Sequence, residues 1–124
     1  SSVPFHCTAS GKLFLSTLED DQLDKLLSTL SLERFARNTI EKVGDLKREL
    51  EATRKRGFSR DNEEFIDNLI AVSVPIIDQN QALFAALAFH APKQRITLEQ
   101  AEEHVVTLRR AADKLAVILF GEPD

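Results

Sequence analysis

The chain has 124 residues with a formal net charge of −4, and it is 43% hydrophobic and 29% charged. These values predict one soluble globular domain with a single core. They disfavour a domain that binds nucleic acid by itself, because such domains are usually basic. The basic residues within 47–56 are interleaved with Asp45, Glu49 and Glu51, so this face is interpreted as self-compensating rather than phosphate-binding.

Cysteine content and hydropathy bear on the cellular compartment. Cys7 is the single cysteine, which excludes an internal disulfide and fits a reducing environment. No apolar stretch approaches the roughly 20 residues that a membrane span needs, and no signal peptide is visible. We therefore expect a cytoplasmic protein.

Three helices are predicted in the first half of the chain. Pro4 favours an extended opening, and a helix then begins near Thr8, with Thr8 or Ser10 as its cap. Gly11 in the first turn suggests that another backbone or a ligand approaches closely. A second helix begins within residues 17–21, and a third spans residues 43–56 and ends at Gly57. Residues 31–38 suggest a short helical turn and a loop.

Three strands are predicted next. Residues 58–65 form a polar pattern that indicates a strand with one open face. Residues 69–77 and 83–89 are short apolar runs that indicate antiparallel strands joined by a turn at 78–82. Pro75 favours an edge or a bulge because it cannot donate to the ladder, and Pro92 closes the last strand.

A long helix is predicted at the C-terminal end. Thr97 and Gln100 match a capping box, and the helix covers residues 98–120. Its apolar stripe, interpreted as a core face, comprises Ala101, Val105, Leu108, Ala112, Leu115 and Leu119. The order of elements predicts an α+β fold. Because three strands are few for a free-standing sheet, further strands are expected upstream of this sequence.

Five segments together resemble the C-terminal effector-binding domain of IclR-type bacterial transcriptional regulators. The first, Pro-Phe-His-Cys-Thr-Ala-Ser-Gly-Lys-Leu at residues 4–13, is similar to the family opening Pro-Leu-His-x-Thr/Ser-x-x-Gly-Lys-Ala. The others are Asn-Thr-Ile at 38–40, Leu-x-x-x-Leu-x-x-x-Arg-x-x-Gly-Phe at 46–58, Asp-x-Glu-Glu-Phe at 61–65, and the hairpin at 71–92 with Arg-Ile-Thr at 95–97. Their order and spacing cover essentially the whole chain.

The resemblance implies a GAF-like (profilin-like) sheet flanked by helices, here without its upstream strands. Residues 1–124 would be a partial effector-binding domain, and a winged helix-turn-helix DNA-binding domain would lie outside this sequence. The implied function is to couple binding of a small organic acid to operator affinity. The implied partners are that effector, further copies in a homodimer or tetramer, and DNA through the separate domain. No cofactor, membrane contact or enzymatic activity is implied.

The resemblance also assigns seven effector-binding positions: Ala9, Ser10, Gly11, Asp61, Ala71, Ala88 and His90. The N–H groups of the first three are expected to be free at the positive end of the first helix. Three structural alternatives stay open: Ser10 only caps the helix, Asp61 and Glu63 only solubilise the strand, and His90 only bonds backbone or water. Either Glu63 or Glu64 is expected to pair with an arginine.

The chain departs from the family pattern in ways that bear on the effector. Alanines occupy positions 71 and 88, where family members often have Ser, Cys or Thr, and His90 adds a titratable ring. Asn68-Leu69-Ile70 replaces the usual Gly-Leu-Arg. We expect an effector larger or less polar than a two- or three-carbon acid, such as an aromatic or sugar-acid-like molecule.

Catalysis and metal binding are two other classes of function. His6 and Cys7 form a nominal nucleophile–base pair, but no third group that would orient them is evident. With His90 they are also nominal metal ligands, but their spacing is not that of a zinc site. The prediction is therefore no metal and no catalysis. The alternative to a sensor is a ligand-free dimerisation module, in which the pocket is filled by side chains and the C-terminal helix or open strand edges form the interface.

Overall fold

The fold was analysed in a computed structural model that describes residues 4–123. Its helices and strands are, in chain order, α1 Ala9–Ser16, α2 Asp20–Thr29, α3 Val43–Arg56, β1 Ser59–Asn62, β2 Leu69–Ile77, β3 Leu83–Pro92, α4 Leu98–Glu102 and α5 Val105–Phe120. This order confirms the predicted α+β class. The predicted extended opening includes residues 1–3, which lie outside the described residues. No helix within residues 4–123 is long and apolar enough to cross a membrane.

Local sequence signals account for the ends of the first three helices. The Thr8 hydroxyl accepts a hydrogen bond from the Gly11 N–H at 3.0 Å and caps α1, whereas Ser10 lies inside the helix. Glu19 begins α2 with a capping box completed by Gln22. Helix α3 has the predicted bounds, and Gly57 ends it in the left-handed region at φ 79°. Residues 31–38 form a loop with a turn and no helix.

The sheet is antiparallel, with strand order β1-β2-β3. Strand β1 is shorter than predicted because Glu63 adopts a left-handed conformation (φ 57°) that ends the extended backbone. Strand β2 matches its prediction, and β3 continues to Pro92. Pro75 pairs with Ala86 of β3 but has no partner in β1, which begins at Ser59 opposite Ser73, so β2 has one open side at Pro75. The irregularity in this hairpin falls at residues 76/77.

Helices cover both faces of the sheet. On one face, Ile70, Val72, Val74 and Ile76 of β2 pack with α4 and α5 in one hydrophobic cluster. On the other face, α1 contacts all three strands and also α3. A second cluster of buried leucines joins α1, α2 and α3 through Leu15, Leu23, Leu27, Leu46 and Leu50. The result is a GAF-like sheet between two layers of helix.

The predicted long C-terminal helix is two helices. The Thr97–Gln100 capping box begins α4 as predicted, but α4 ends at Glu102 and α5 begins after His104. The apolar stripe is a core face only in its first part. Ala101, Val105 and Ala112 are buried and Leu108 packs against them, whereas Leu115 is 37% and Leu119 52% exposed. The assignment of the whole stripe to the core was therefore wrong, because in the last turns of α5 Ala116, and not Leu115 or Leu119, packs against the core cluster.

Candidate functional site

The strand register places the predicted strand residues on one face of the sheet. Asp61 is paired with Ala71, and Ala71 with His90, so the three form one cross-strand row. In the next row Ser59 is paired with Ser73, and Ser73 with Ala88. Directly opposite residues and residues two apart share a face, so all six side chains lie on the same side. We call this surface the α1 face, because the Ser59 hydroxyl donates to the Ala9 carbonyl of α1.

The α1 face has a buried floor and an accessible rim. Ala9, Asp61 and Ala71 are 1%, 3% and 0% exposed, so the buried floor lies at the contact between α1 and the strands β1 and β2. Ala88 is half-buried and His90 exposed, so the rim of this face lies on β3, and Ser10 is exposed on α1. The structure therefore brings the predicted residues into one region, although they come from separate segments of the chain.

The N-terminus of α1 differs in one respect from the expected arrangement. The prediction of three free N–H groups was wrong for Gly11, because its N–H donates to the capping Thr8 hydroxyl. The close approach expected at Gly11 is made by the backbone of Phe5. A Cβ there would lie 2.7 Å from Phe5 Cα and from the Phe5 carbonyl oxygen. Ala9 and Ser10 belong to the first turn, whose N–H groups have no acceptor within the helix. The alternative that Ser10 caps the helix was wrong.

Asp61 is a buried structural acceptor as well as a candidate ligand contact. Its carboxylate accepts the Glu64 N–H at 2.8 Å and so fixes the loop after β1. Burial is the main cause that raises the pKa of Asp61 to about 6. Glu63 is only 1% exposed, so the interpretation that Asp61 and Glu63 solubilise the strand was wrong. Asp61→Ala would remove a loop contact too, and is therefore a poor test of binding.

A buried ion-pair cluster lies beside the α1 face, and the sequence analysis missed it. The Lys12 side chain is 0% exposed, and its Nζ lies 2.9 Å from Glu49 Oε2 and 2.7 Å from Glu64 Oε1. Arg56 adds a second cation, 3.2 Å from Glu49. Burial raises the pKa of Glu49, but Lys12 and then Arg56 outweigh it and lower the pKa overall. A lysine in the first turn of a helix, where the dipole disfavours cations, was the available signal.

Glu63 ties the β1–β2 loop to the end of the sheet. Its carboxylate lies 2.8 Å from Lys93 Nζ and 3.2 Å from Arg37 Nε, which confirms the predicted arginine partner. Its oxygen also accepts the Asn68 N–H at 3.0 Å. The Lys93 hydrogen bond is the main cause that lowers the pKa of Glu63. These contacts fasten the β1–β2 loop to Arg37 and to Lys93, the residue after β3.

His6 and Cys7 do not form a reactive pair. Burial, together with the charge of Asp61, raises the pKa of the Cys7 thiol to about 12, so the nucleophilic thiolate is disfavoured. The His6 ring bonds the Glu33 carbonyl at 2.8 Å and lies against Phe35. Among residues 4–123, no three His, Cys, Asp or Glu side chains are grouped so that they could hold a metal ion.

The basic residues of α3 are paired, as the sequence analysis predicted. Lys47 lies 2.5 Å from Asp24, Lys55 lies 3.8 Å from Glu51, and Arg48 pairs with Asp45. Arg54 donates to the Ser16 carbonyl at 3.1 Å. These partners leave little uncompensated charge for phosphate binding on this face.

Two surface cavities lie away from the α1 face. One, of about 210 Å³, is lined by Asn38, Ile40, Glu49, Arg60, Asn62, Glu64 and Leu98. The other, of about 230 Å³, is lined by Asp20, Leu23, Asp24, Lys47, Glu51 and Arg54. Neither is lined by a predicted effector-binding residue.

The fold and the α1 face define a GAF-like regulatory domain. The chain matches, over residues 1–117, the family described as bacterial transcriptional regulator IclR C-terminal. It belongs to the IclR family and corresponds to the C-terminal effector-binding domain of those regulators.

Individual relatives agree with this assignment. The chain is 39% identical over 115 residues to a probable transcriptional regulator SauR of Cupriavidus necator, covering 93% of this chain and 46% of that protein. It is 33% identical over 119 residues to the transcriptional repressor IclR of Escherichia coli, covering 96% and 43%. The chain thus spans less than half the length of these relatives. They are transcriptional regulators and not enzymes, as predicted for this chain.

A solved structure shows the same fold with a ligand. A double mutant of the PobR inducer-binding domain from Acinetobacter, in complex with 3-hydroxybenzoic acid, superimposes with a TM-score of 0.86. Sequence identity is 26%, and the match covers 92% of this chain and 66% of that one.

Proposed function

We propose that this domain binds a small organic acid on the α1 face and couples its binding to the operator affinity of a separate DNA-binding domain in a homo-oligomeric cytoplasmic regulator. The observation that carries the proposal is that Asp61, Ala71, Ala88 and His90 share the face of the sheet on which α1 packs. The chemistry is suitable for an anion. The first-turn N–H groups of α1 attract a carboxylate, and Asp61 accepts from a ligand hydroxyl.

The replacement of family hydroxyls by Ala71 and Ala88 supports a ligand with an apolar part. Alanine methyls leave space and offer no hydrogen bond, so they suit a ring or a hydrocarbon segment better than a short oxoacid. The 3-hydroxybenzoic acid complex of PobR is consistent with an aromatic acid in this fold. Coupling to DNA requires that the effector prefer one of two arrangements of the oligomer.

We expect an aromatic or sugar acid to raise the melting temperature of this chain in a concentration-dependent manner, because a ligand that binds only the native state stabilises it. The panel comprises 3-hydroxybenzoate, gluconate and pyruvate in a thermal-shift assay. His90→Ala should weaken binding of the active compound roughly tenfold through the loss of a polar contact at the rim.

His104→Ala is the matched control, because His104 contacts Phe89, whose side chain lies on the opposite face of the sheet. Equal affinities of the His90 variant and the wild type would reject the rim assignment. An unchanged melting temperature with 3-hydroxybenzoate, gluconate and pyruvate would reject the proposed effector binding and favour the dimerisation module.

The dimerisation function has its own support. Phe84 is 56% exposed and its ring lies 5.1 Å from Phe120 at the end of α5, where Ile118 and Leu119 are 78% and 52% exposed. Contiguous exposed apolar side chains of this kind mark interaction surfaces. This cluster lies beside β3, whose outer edge is unpaired within residues 4–123.

We expect the chain to self-associate through this cluster, and Ile118→Lys to shift it toward monomer by placing a charge in an apolar contact. Sedimentation equilibrium measures the change. Val106→Lys is the control, because Val106 is equally apolar and 56% exposed but lies near the other end of α5. A wild-type chain that is monomeric at high micromolar concentration would contradict this interface.

A further inference from the structure

Ser73 has a buried hydroxyl for which the protein supplies no partner. The residue is 0% exposed in the middle of β2, and within residues 4–123 its Oγ has no hydrogen-bond partner. A buried hydroxyl without a bond is unfavourable by comparison with an alanine of nearly the same shape. Its presence at this position therefore needs an explanation beyond packing.

The register shows where this hydroxyl lies. Ser73 is paired with Ser59 on one side and with Ala88 on the other, so its side chain belongs to the α1 face. The neighbouring Ser59 hydroxyl is already bonded to the Ala9 carbonyl in the first turn of α1. Ser73 thus lies on the face of the sheet that α1 covers, directly opposite Ala88 and two residues along β2 from Ala71, and its hydroxyl, unlike that of Ser59, has no partner in the described structure.

Unpaired donors and an acceptor occur on the two sides of the contact between α1 and the sheet. The N–H groups of Ala9 and Ser10 have no acceptor within α1, and the Ser73 hydroxyl has none in the described structure. Asp61, diagonal to Ser73 across the β1–β2 pair, lies about 7–8 Å away between Cα atoms. That separation suits a small molecule with an anionic group at one end and a hydroxyl at the other.

We propose that Ser73 is a specificity-determining contact of the effector, donating its hydroxyl proton to the carboxylate that α1 attracts, and that the effector is a hydroxy acid whose hydroxyl donates to Asp61. The inference rests on the proposed function of the α1 face. To that function it adds Ser73 as a ligand contact and hydroxy acids as the class of ligand. With alanine at positions 71 and 88 and the Ser59 hydroxyl bonded to Ala9, Ser73 has the one uncommitted hydroxyl among the six strand side chains that define this face.

The test compares Ser73→Ala with the wild type by thermal shift and calorimetry, using 3-hydroxybenzoate, benzoate, gluconate and pyruvate as probes. Without ligand, the variant should melt at the same temperature or higher, because an unbonded buried hydroxyl is removed. Affinity for the hydroxy acid that binds best should fall roughly tenfold to hundredfold. Ser28→Ala is the control, because the Ser28 hydroxyl is exposed and bonds Lys25 within α2.

Each outcome decides the inference. Loss of affinity with an unchanged or raised melting temperature supports it, as does tighter binding of 3-hydroxybenzoate than of benzoate. Equal hydroxy-acid affinity in the variant and wild type overturns the role of Ser73 while leaving the sensor intact. If the melting temperature of Ser73→Ala without ligand is several degrees below that of the wild type, the hydroxyl has a structural partner, and the inference is also overturned. A wild type that binds none of the probes rejects the proposed function and this inference together.

Discussion

Replacing Lys12 by methionine should lower the free energy of unfolding by about 3–5 kcal/mol. The Lys12 ammonium is buried between Glu49 and Glu64, and its removal leaves two carboxylates close together with one fewer cation. Substitutions that leave a desolvated charge without a partner are among the most destabilising in proteins. Urea unfolding followed by circular dichroism measures the loss.

Two further variants separate charge from packing. Lys55→Ala should cost at most a few tenths of a kcal/mol, because Lys55 is 78% exposed and its pair with Glu51 is solvated. Lys12→Met combined with Glu64→Gln should recover part of the loss, since Arg56 still compensates Glu49. A Lys12→Met variant as stable as Lys55→Ala would show that the cluster does not hold α1 against α3 and the β1–β2 loop.

Asp61→Asn should stabilise the domain above pH 6 by about 2–3 kcal/mol and have little effect below pH 4. Burial raises the pKa of Asp61 to about 6 in the folded state, whereas an unfolded aspartate has an ordinary pKa of about 4. The folded state therefore holds the proton more tightly, and this stabilisation is complete below pH 4 and lost as pH rises through 6. Asparagine mimics the protonated form and can still accept the Glu64 N–H.

Stability curves at pH 4, 6 and 8 for both proteins test this prediction. The pKa values of Glu49 and Glu63 are lowered and change stability in the opposite direction, but their effects largely cancel in the difference between variant and wild type. Asp113→Asn on the exposed side of α5 should be nearly neutral at every pH. If the difference in free energy of unfolding between Asp61→Asn and the wild type does not change with pH, Asp61 is not desolvated as the structure indicates.

The sequence by itself determined most of the secondary structure and the family. Caps and turn residues act locally, so Thr8, Gly57 and the Thr97–Gln100 capping box located helix ends without any tertiary information. The two apolar runs of the hairpin were recognised as strands because they are short and rich in small or branched residues. The spacing of five segments was enough to identify an IclR-type effector domain, which the match over residues 1–117 confirms.

Only the tertiary structure decided which polar groups are buried and what they contact. Periodicity indicates the face on which a side chain lies but not its partners. No sequence pattern therefore predicted the ion pairs among Lys12, Glu49 and Glu64, which are far apart in the chain. The strand register, which no local pattern specifies, placed Ser73 between Ser59 and Ala88 and aligned Asp61 with Ala71 and His90. Burial of Asp61 and the bond that occupies the Gly11 N–H follow from how α1 packs on the sheet, because desolvation and hydrogen bonding depend on neighbours that the chain brings together only on folding.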